Sequence, residues 1–356
     1  MKKVIIGLLF LTICTAGCLP KNTVKLEYKC KQGEVLKHRI VLSNTFVLDV
    51  NLPAILVGVP APVTPPIGTG TVTSSIGSTT IQPVSSLRYE ISTHLELLCI
   101  KNIKNVTPDG IITIEERFEP LSEEILINKE STLLEGCSIS DVLRDKVVTL
   151  KITVDGSILS TEGTDELLRD IYDRTSSLSM DATSRLMIGD ALRHEMEQII
   201  QQSITMFPGE KLTKGDIWKR QIIASLPVIG VKSTVTHTNS FEGFEAVNGY
   251  DCAKLAGSIT STISDEKPEL SDLIGEMFAD KITQQGFSTE MHVGGAEAGN
   301  TLTYFAHKEG KMIKEQIIKE GFINVTAPVM DGSSTMGEIK VKMTTNTKYI
   351  AEKYKE

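Results

Sequence analysis

At 356 residues, 40% of them hydrophobic, the chain can bury one large core or two modest ones, and with aromatics at 5% and one Trp that core is aliphatic. Its 45 acidic residues outweigh 37 basic ones, for a formal charge of −8. Without a basic cluster, that balance argues against nucleic acid as a partner and against an electrostatic grip on anionic lipid.

The chain begins MKKVIIGLLFLTICTAGC. Lys2 and Lys3 precede an apolar run from Val4 to Cys14, and Thr15-Ala16-Gly17 leads into Cys18, the plan of a secretory signal. The run is too short to cross a bilayer, which takes about 20 residues. Small residues directly before Cys18 resemble the lipobox of bacterial lipoproteins, with Thr15 where Leu is usual. That resemblance implies a signal peptide over residues 1–17 and an acylated, palmitate-bearing N-terminal Cys18. Residues 18–26 then form a short tether. The chain is expected to be exported and lipid-anchored to a bacterial membrane, facing periplasm or cell exterior. Its membrane partner would be reached through that acylated cysteine.

Residues 27–163 read as a β-rich half. LKHRIVLSNTFVLDV and LRYEISTHLELLCIKNI alternate apolar and polar residues. Val106 to Gly110 is a turn, Ile111 to Leu121 a strand, and Val147 to Gly163 a hairpin about Asp155-Gly156. Between the first two strands lies an insertion, 50–87, with no charged residue. Three readings stand: a Pro-, Gly- and Thr-rich loop, two long strands packed on protein, or an apolar flap touching lipid or ligand through Leu52, Ile55, Leu56, Val57 and Val59.

The period changes over 164–208. Leu167, Leu168, Ile171 and Tyr172 form one helical face, and Leu192, Met196, Ile199, Ile200 and Phe207 another, predicting a helical pair with Thr164 as N-cap. Residues 209–356 return to β, with strands near Gly215 to Leu226, Val231 to Phe244 and Tyr250 to Ser264. One later helix is expected over Pro268 to Gln285, and further strands in NTLTYFAHKEGKMIKEQIIKEGF and EIKVKMTTNTKYIAEKY. FSTEMHVGG also reads as a return to strand, while GFSTEMHVGGAEAGN and MDGSSTMG, rich in Gly and Ser, read as turns in place of phosphate loops. The fold class is therefore α+β: a mainly antiparallel, strongly curved, half-barrel-like sheet with a central helical pair and one later helix covering one face.

Chemistry-bearing motifs are sparse. His194-Glu195 lacks the second His of HExxH, because Gln198 stands there, and the other His and Cys residues have no zinc spacing. No GxSxG or phosphate-cradling loop occurs. No catalytic residue, metal or cofactor is assigned. Cys30, Cys99, Cys137 and Cys252 allow several pairings, and buried free thiols are the alternative, with Cys99 and Cys252 in strand-like apolar patterns.

The lipobox, the GDIW phrase with GYDCAKLAG downstream, and TYFAHKEGKMIKE together resemble an uncharacterised bacterial lipoprotein family defined only as a domain of unknown function. The resemblance is best from Gly209 onward, and within it Trp218 reads as a core anchor. The alternation of long strands with a few helices also resembles lipoprotein-carrier (LolA-like) curved-sheet proteins, which implies an apolar cavity under the sheet. The expected function is that of a non-enzymatic envelope lipoprotein holding a lipid or other apolar ligand. The alternative is an interaction lipoprotein that recruits an envelope protein.

Overall fold

The computed structural model describes residues 23–52, 85–127, 130–131, 146–176, 204–225, 232–263, 292–331 and 334–355, together with 142–143 and single positions between 189 and 202. In chain order the elements are β1 (Val24–Lys25), β2 (Val35–Leu52), β3 (Ser85–Val106), β4 (Ile112–Ile127), β5 (Glu130–Ser131), β6 (Val148–Ile152), β7 (Ile158–Glu162), α1 (Thr164–Ser176), β8 (Lys211–Leu212), β9 (Ile217–Ser225), β10 (Lys232–Val247), β11 (Tyr250–Ile263), β12 (His292–Ala306), β13 (Lys311–Asp331) and β14 (Ser334–Lys353).

Twelve strands form one antiparallel sheet in the order β7-β6-β4-β3-β2-β14-β13-β12-β11-β10-β9, with β5 beside β4. Two meanders, β2 to β7 and β9 to β14, meet where the first and last long strands pair, from Lys340↔Asn51 to Lys353↔His38. Strict alternation fixes this register. Along β2, His38, Ile40, Leu42, Asn44, Phe46 and Leu48 are buried while the residues between them are not. A slip of one residue would turn that whole set outward.

A twisted sheet of this width curls. Phe46 of β2, Met343 of β14 and Trp218 and Ile222 of β9 line one cavity, so strands far apart in sheet order face one another. The two edges approach at one end: Arg220 of edge strand β9 donates to Ser157 Oγ, just before edge strand β7, at 3.2 Å. The concave side carries the core. Leu95, Leu97, Ile112, Leu150 and Ile152 are at most 1% exposed and belong to one apolar cluster with Leu167 and Ile171 of α1. Each such side chain contributes about 1.5–3 kcal/mol by leaving water.

The convex face is built differently. Lys340, Lys342 and Lys348 of β14 are exposed, and Arg39 forms an ion pair with Glu96 at 2.6 Å. A lysine facing lipid at the bilayer midplane costs roughly 2–4 kcal/mol, so this row is suited to water. Among the described residues no helix is long and apolar enough to cross a membrane, which does not bear on strands.

The expected α+β class is overturned. Among the described residues the structure is nearly all antiparallel sheet, 71% strand and 9% helical, with α1 the one continuous helix and helical positions besides it at 142–143 and between 189 and 202, which is not the expected α+β arrangement of a helical pair and a further covering helix. The apolar stripes within 164–208 do lie in the core: Leu167, Ile171, Leu192, Met196, Ile199 and Phe207 are buried. The error lay in the layer argument. A sheet that curls until its inner face meets itself needs no helical layer to cover that face. The helix expected at 268–285 lies outside the described residues. The turn expected across 286–300 is corrected from His292 onward, where β12 begins, because alternation there runs through small residues that mask it.

Candidate functional site

On the second meander Ser233, His237 and Asn239 of β10, Ser261 of β11, and Glu297 and Thr301 of β12 line the concave cavity beside Val235, Leu255, Ile259 and Ile263, and Gly257 of β11 sits between Asn239 and Thr301. Gly257 is required there, since a Cβ would collide with Asn239 Oδ1 and Thr301 Oγ1. The cavity has a volume of about 170 Å³. That is close to the space a benzene fills in an engineered apolar void, or about five or six waters. Its walls are mainly aliphatic, from Ile204, Ile222, Leu255, Ile259 and Ile317. Glu297, Gly299 and Thr301 are only half-buried and mark the side where the cavity nears the surface.

One end of the cavity is held by a hydrogen-bond network that reaches across the chain. The Asp155-Gly156 turn docks on residues 205–207, where the Phe207 amide donates to Asp155 O at 2.7 Å. Gly156 has φ +82°, and a side chain there would strike the Thr205 carbonyl. Tyr28 OH donates to Thr205 O at 3.1 Å and accepts from Thr205 N at 2.9 Å. The Tyr28 ring packs edge-on against Phe305 at 5.4 Å. Thr205 so fixed donates its hydroxyl to Glu315 Oε1 at 3.1 Å, and Thr303 does the same at 3.1 Å. Opposite, Arg220 donates to Phe207 O at 2.8 Å.

Three buried polar atoms on these walls have no hydrogen-bond partner among the described residues: Glu315 Oε2, Trp218 Nε1 and Gln202 Oε1. Such orphans are uncommon in folded proteins. Glu315 is 6% exposed. Burial pushes its carboxyl up to about 7, against the two threonine hydroxyls and Lys101, which pull it down. Lys319 and Glu297 pair at 2.8 Å on the same wall. Burial, then Lys319, lowers His237 and keeps it neutral. Ser233 and Ser261 hydroxyls bond each other.

Sequence reasoning placed its candidates elsewhere. Cys18, Ile55, Leu56, Val57 and Val59 lie outside the described residues, and Leu52 ends β2 opposite Ser85 of β3. Cys30, Cys99 and Cys252 are free thiols, with Cys99 and Cys252 buried as their strand patterns suggested, and Cys137 lies outside the described residues. Trp218 does pack on the core cluster, and it also lines the cavity. Glu315, Thr205 and Gln202 were missed. Among the described residues, no group of three or more His, Cys, Asp or Glu is placed to hold a metal.

Residues 127–245, from the end of β4 into β10, match a family of unknown function, DUF6263. The match contains Trp218 and the GDIW phrase, but ends before GYDCAKLAG and TYFAHKEGKMIKE, so the resemblance sits further toward the N-terminus than the sequence reading put it. No curated protein matches. Among solved structures, the outer membrane protein OprG from Pseudomonas aeruginosa is similar at 8% identity, over 92% of this chain and 100% of that one, with a TM-score of 0.18. A similarity at that score carries no structural argument.

Proposed function

We propose that this chain is a non-enzymatic envelope lipoprotein, anchored through an acylated Cys18, that binds a small apolar ligand or the end of a lipid chain within its curled sheet. The observation that carries the reading is the largely aliphatic cavity of about 170 Å³ on the concave side, with a few polar side chains such as His237, Thr303 and Glu315 on its walls. Ligand sites combine apolar walls with a few placed polar groups in this way. The volume is below that of drug-sized sites, so a whole diacyl lipid does not fit, whereas one chain end does. The membrane anchor supports the reading by holding such a cavity beside a source of amphiphiles.

Native mass spectrometry of the full chain, gently extracted from its own membrane, tests this. The expected result is a co-purifying amphiphile of low mass in one-to-one ratio. A spectrum of the bare acylated chain, unchanged when decanol is added, would sink the proposal.

A further inference from the structure

We infer that the cavity takes a single alkyl chain end and measures its length, holding about seven carbons, with Ile259 and Ile317 setting that limit. The inference rests on the ligand-binding reading above and specifies the apolar end of the ligand. A void of about 150 Å³ holds the six carbons of benzene, so about 170 Å³ holds six or seven. The walls draw that volume out lengthwise. They run from Ser233 to Asn239 on β10 and from Glu315 to Ile323 on β13, which is about 20–26 Å of strand at about 3.3 Å per residue. A space so elongated suits a chain laid along the strands better than a ring of equal volume.

One end is shut. Thr205 and Thr303 lie on the wall, and two positions past each stand Phe207 and Phe305, fully buried, with ring centroids 4.5 Å apart. Tyr28 packs against both rings, at 5.6 and 5.4 Å. No chain threads between rings packed to interior density. Carbons beyond the limit therefore leave by the half-buried flank of Glu297, Gly299 and Thr301 and return to water. Each methylene inside the cavity tightens binding about fourfold, and each one outside contributes little. Ile259 of β11 and Ile317 of β13 are 3% and 4% exposed and face this space from strands on either side of β12. Ile259 pairs with Gly299, which offers no side chain, and Ile317 pairs with Thr301, so the two isoleucines supply the bulk at mid-length. Shortening either to alanine removes three carbons of wall. Because the surroundings relax only in part, that makes room for about three more carbons of ligand.

Trp218, the single tryptophan, lies on the cavity wall and reports occupancy. Its fluorescence in the full chain would be titrated with each straight-chain primary alcohol from butanol to dodecanol, below its solubility limit. In the parent, affinity is expected to rise about fourfold per carbon up to about heptanol, and by less than about twofold per carbon thereafter. In Ile259→Ala the break moves to about decanol, and Ile317→Ala, an independent enlargement of the same space, moves it likewise. Leu97→Ala, which opens a void in the packed half, leaves the break at heptanol. An unbroken rise to dodecanol in the parent, a break that stays at heptanol in both isoleucine variants, or one that Leu97→Ala moves equally overturns the length limit and leaves the apolar-cavity reading standing. Binding of none of the alcohols overturns both.

Discussion

Inward positions on β3, β4 and β6 carry Leu95, Leu97, Ile103, Ile112, Ile114 and Leu150, all almost fully buried. On β10, β11 and β12 the cavity lies against Ser233, His237, Asn239, Ser261, Glu297 and Thr301, set among Val235, Leu255, Ile259 and Ile263. The backbone solution is the same on both sides of the β14–β2 seam: long antiparallel strands in a meander, with alternate residues inward. What differs is side-chain volume. A curled sheet encloses a fixed space, and large aliphatic groups fill it to interior density whereas hydroxyls and glycines do not. Shape therefore comes from the backbone pattern, and the cavity comes from the choice of small residues on one half of it.

The packed half should be the brittle one, and the sharpest break of the comparison is its buried ion pair. Lys101 and Glu116 are 6% and 0% exposed at their side chains. Burial works most strongly against the lysine's charge, but Glu116, Cys99 and Glu315 together hold the pKa up. Lys101→Met strands Glu116 as a buried charge, and urea denaturation should show a loss of about 3–5 kcal/mol. Next comes Leu97→Ala, at 0% exposure, with an expected loss of about 3–4 kcal/mol. Ile259→Ala, beside the cavity, should cost at least about 1 kcal/mol less, because that side chain already lacks neighbours on one flank. Equal costs for the two would erase the contrast between the halves.

Much of this was legible in the sequence, and the reason is periodicity. In LKHRIVLSNTFVLDV one phase is Ile40, Leu42, Phe46 and Leu48 and the other Arg39, Ser43, Thr45 and Asp49, so face and strand could both be read. The stripe Leu192, Met196, Ile199, Ile200 was likewise read as core. Glu315 was not legible. In KMIKEQIIKEG both phases mix charge with aliphatics: Ile313, Glu315, Ile317 and Lys319 on one side, and Lys314, Gln316, Ile318 and Glu320 on the other. A register irregularity in the pairing at Tyr304/Phe305 further uncouples the phase of β13 from the hairpin turn. Nor does any local pattern reveal that Thr205, more than a hundred positions away, would donate to that carboxyl. The α+β expectation already held a strongly curved sheet, and it failed on how few of the described residues are helical.

The cavity half should be tuned by protons through Glu315. Glu315 titrates near 7 when folded and near 4.5 otherwise, so between those values the folded chain binds the extra proton and stability declines as pH rises. Glu315→Gln removes that loss. It should exceed the parent by up to about 3 kcal/mol at pH 8 and match it at pH 4, in paired urea titrations. A constant difference across that range would mean that the carboxyl is not held in an apolar wall.

The smallest effect separates a filled interior from a hollow one most directly. Ser233 and Ser261 are 1% and 5% exposed and answer each other's hydroxyls on the cavity wall. Removing one leaves the other unpaired, so Ser233→Ala should cost about 1 kcal/mol, as should Ser261→Ala. Removing both leaves only apolar surface, and the double variant should cost less than either single, within about 0.5 kcal/mol of the parent. Such a reversal requires that the orphaned hydroxyl be denied water. Additive losses in a double-mutant cycle would instead show water reaching that wall freely, and a wall that water reaches freely would be a poor place to hold an alkyl chain.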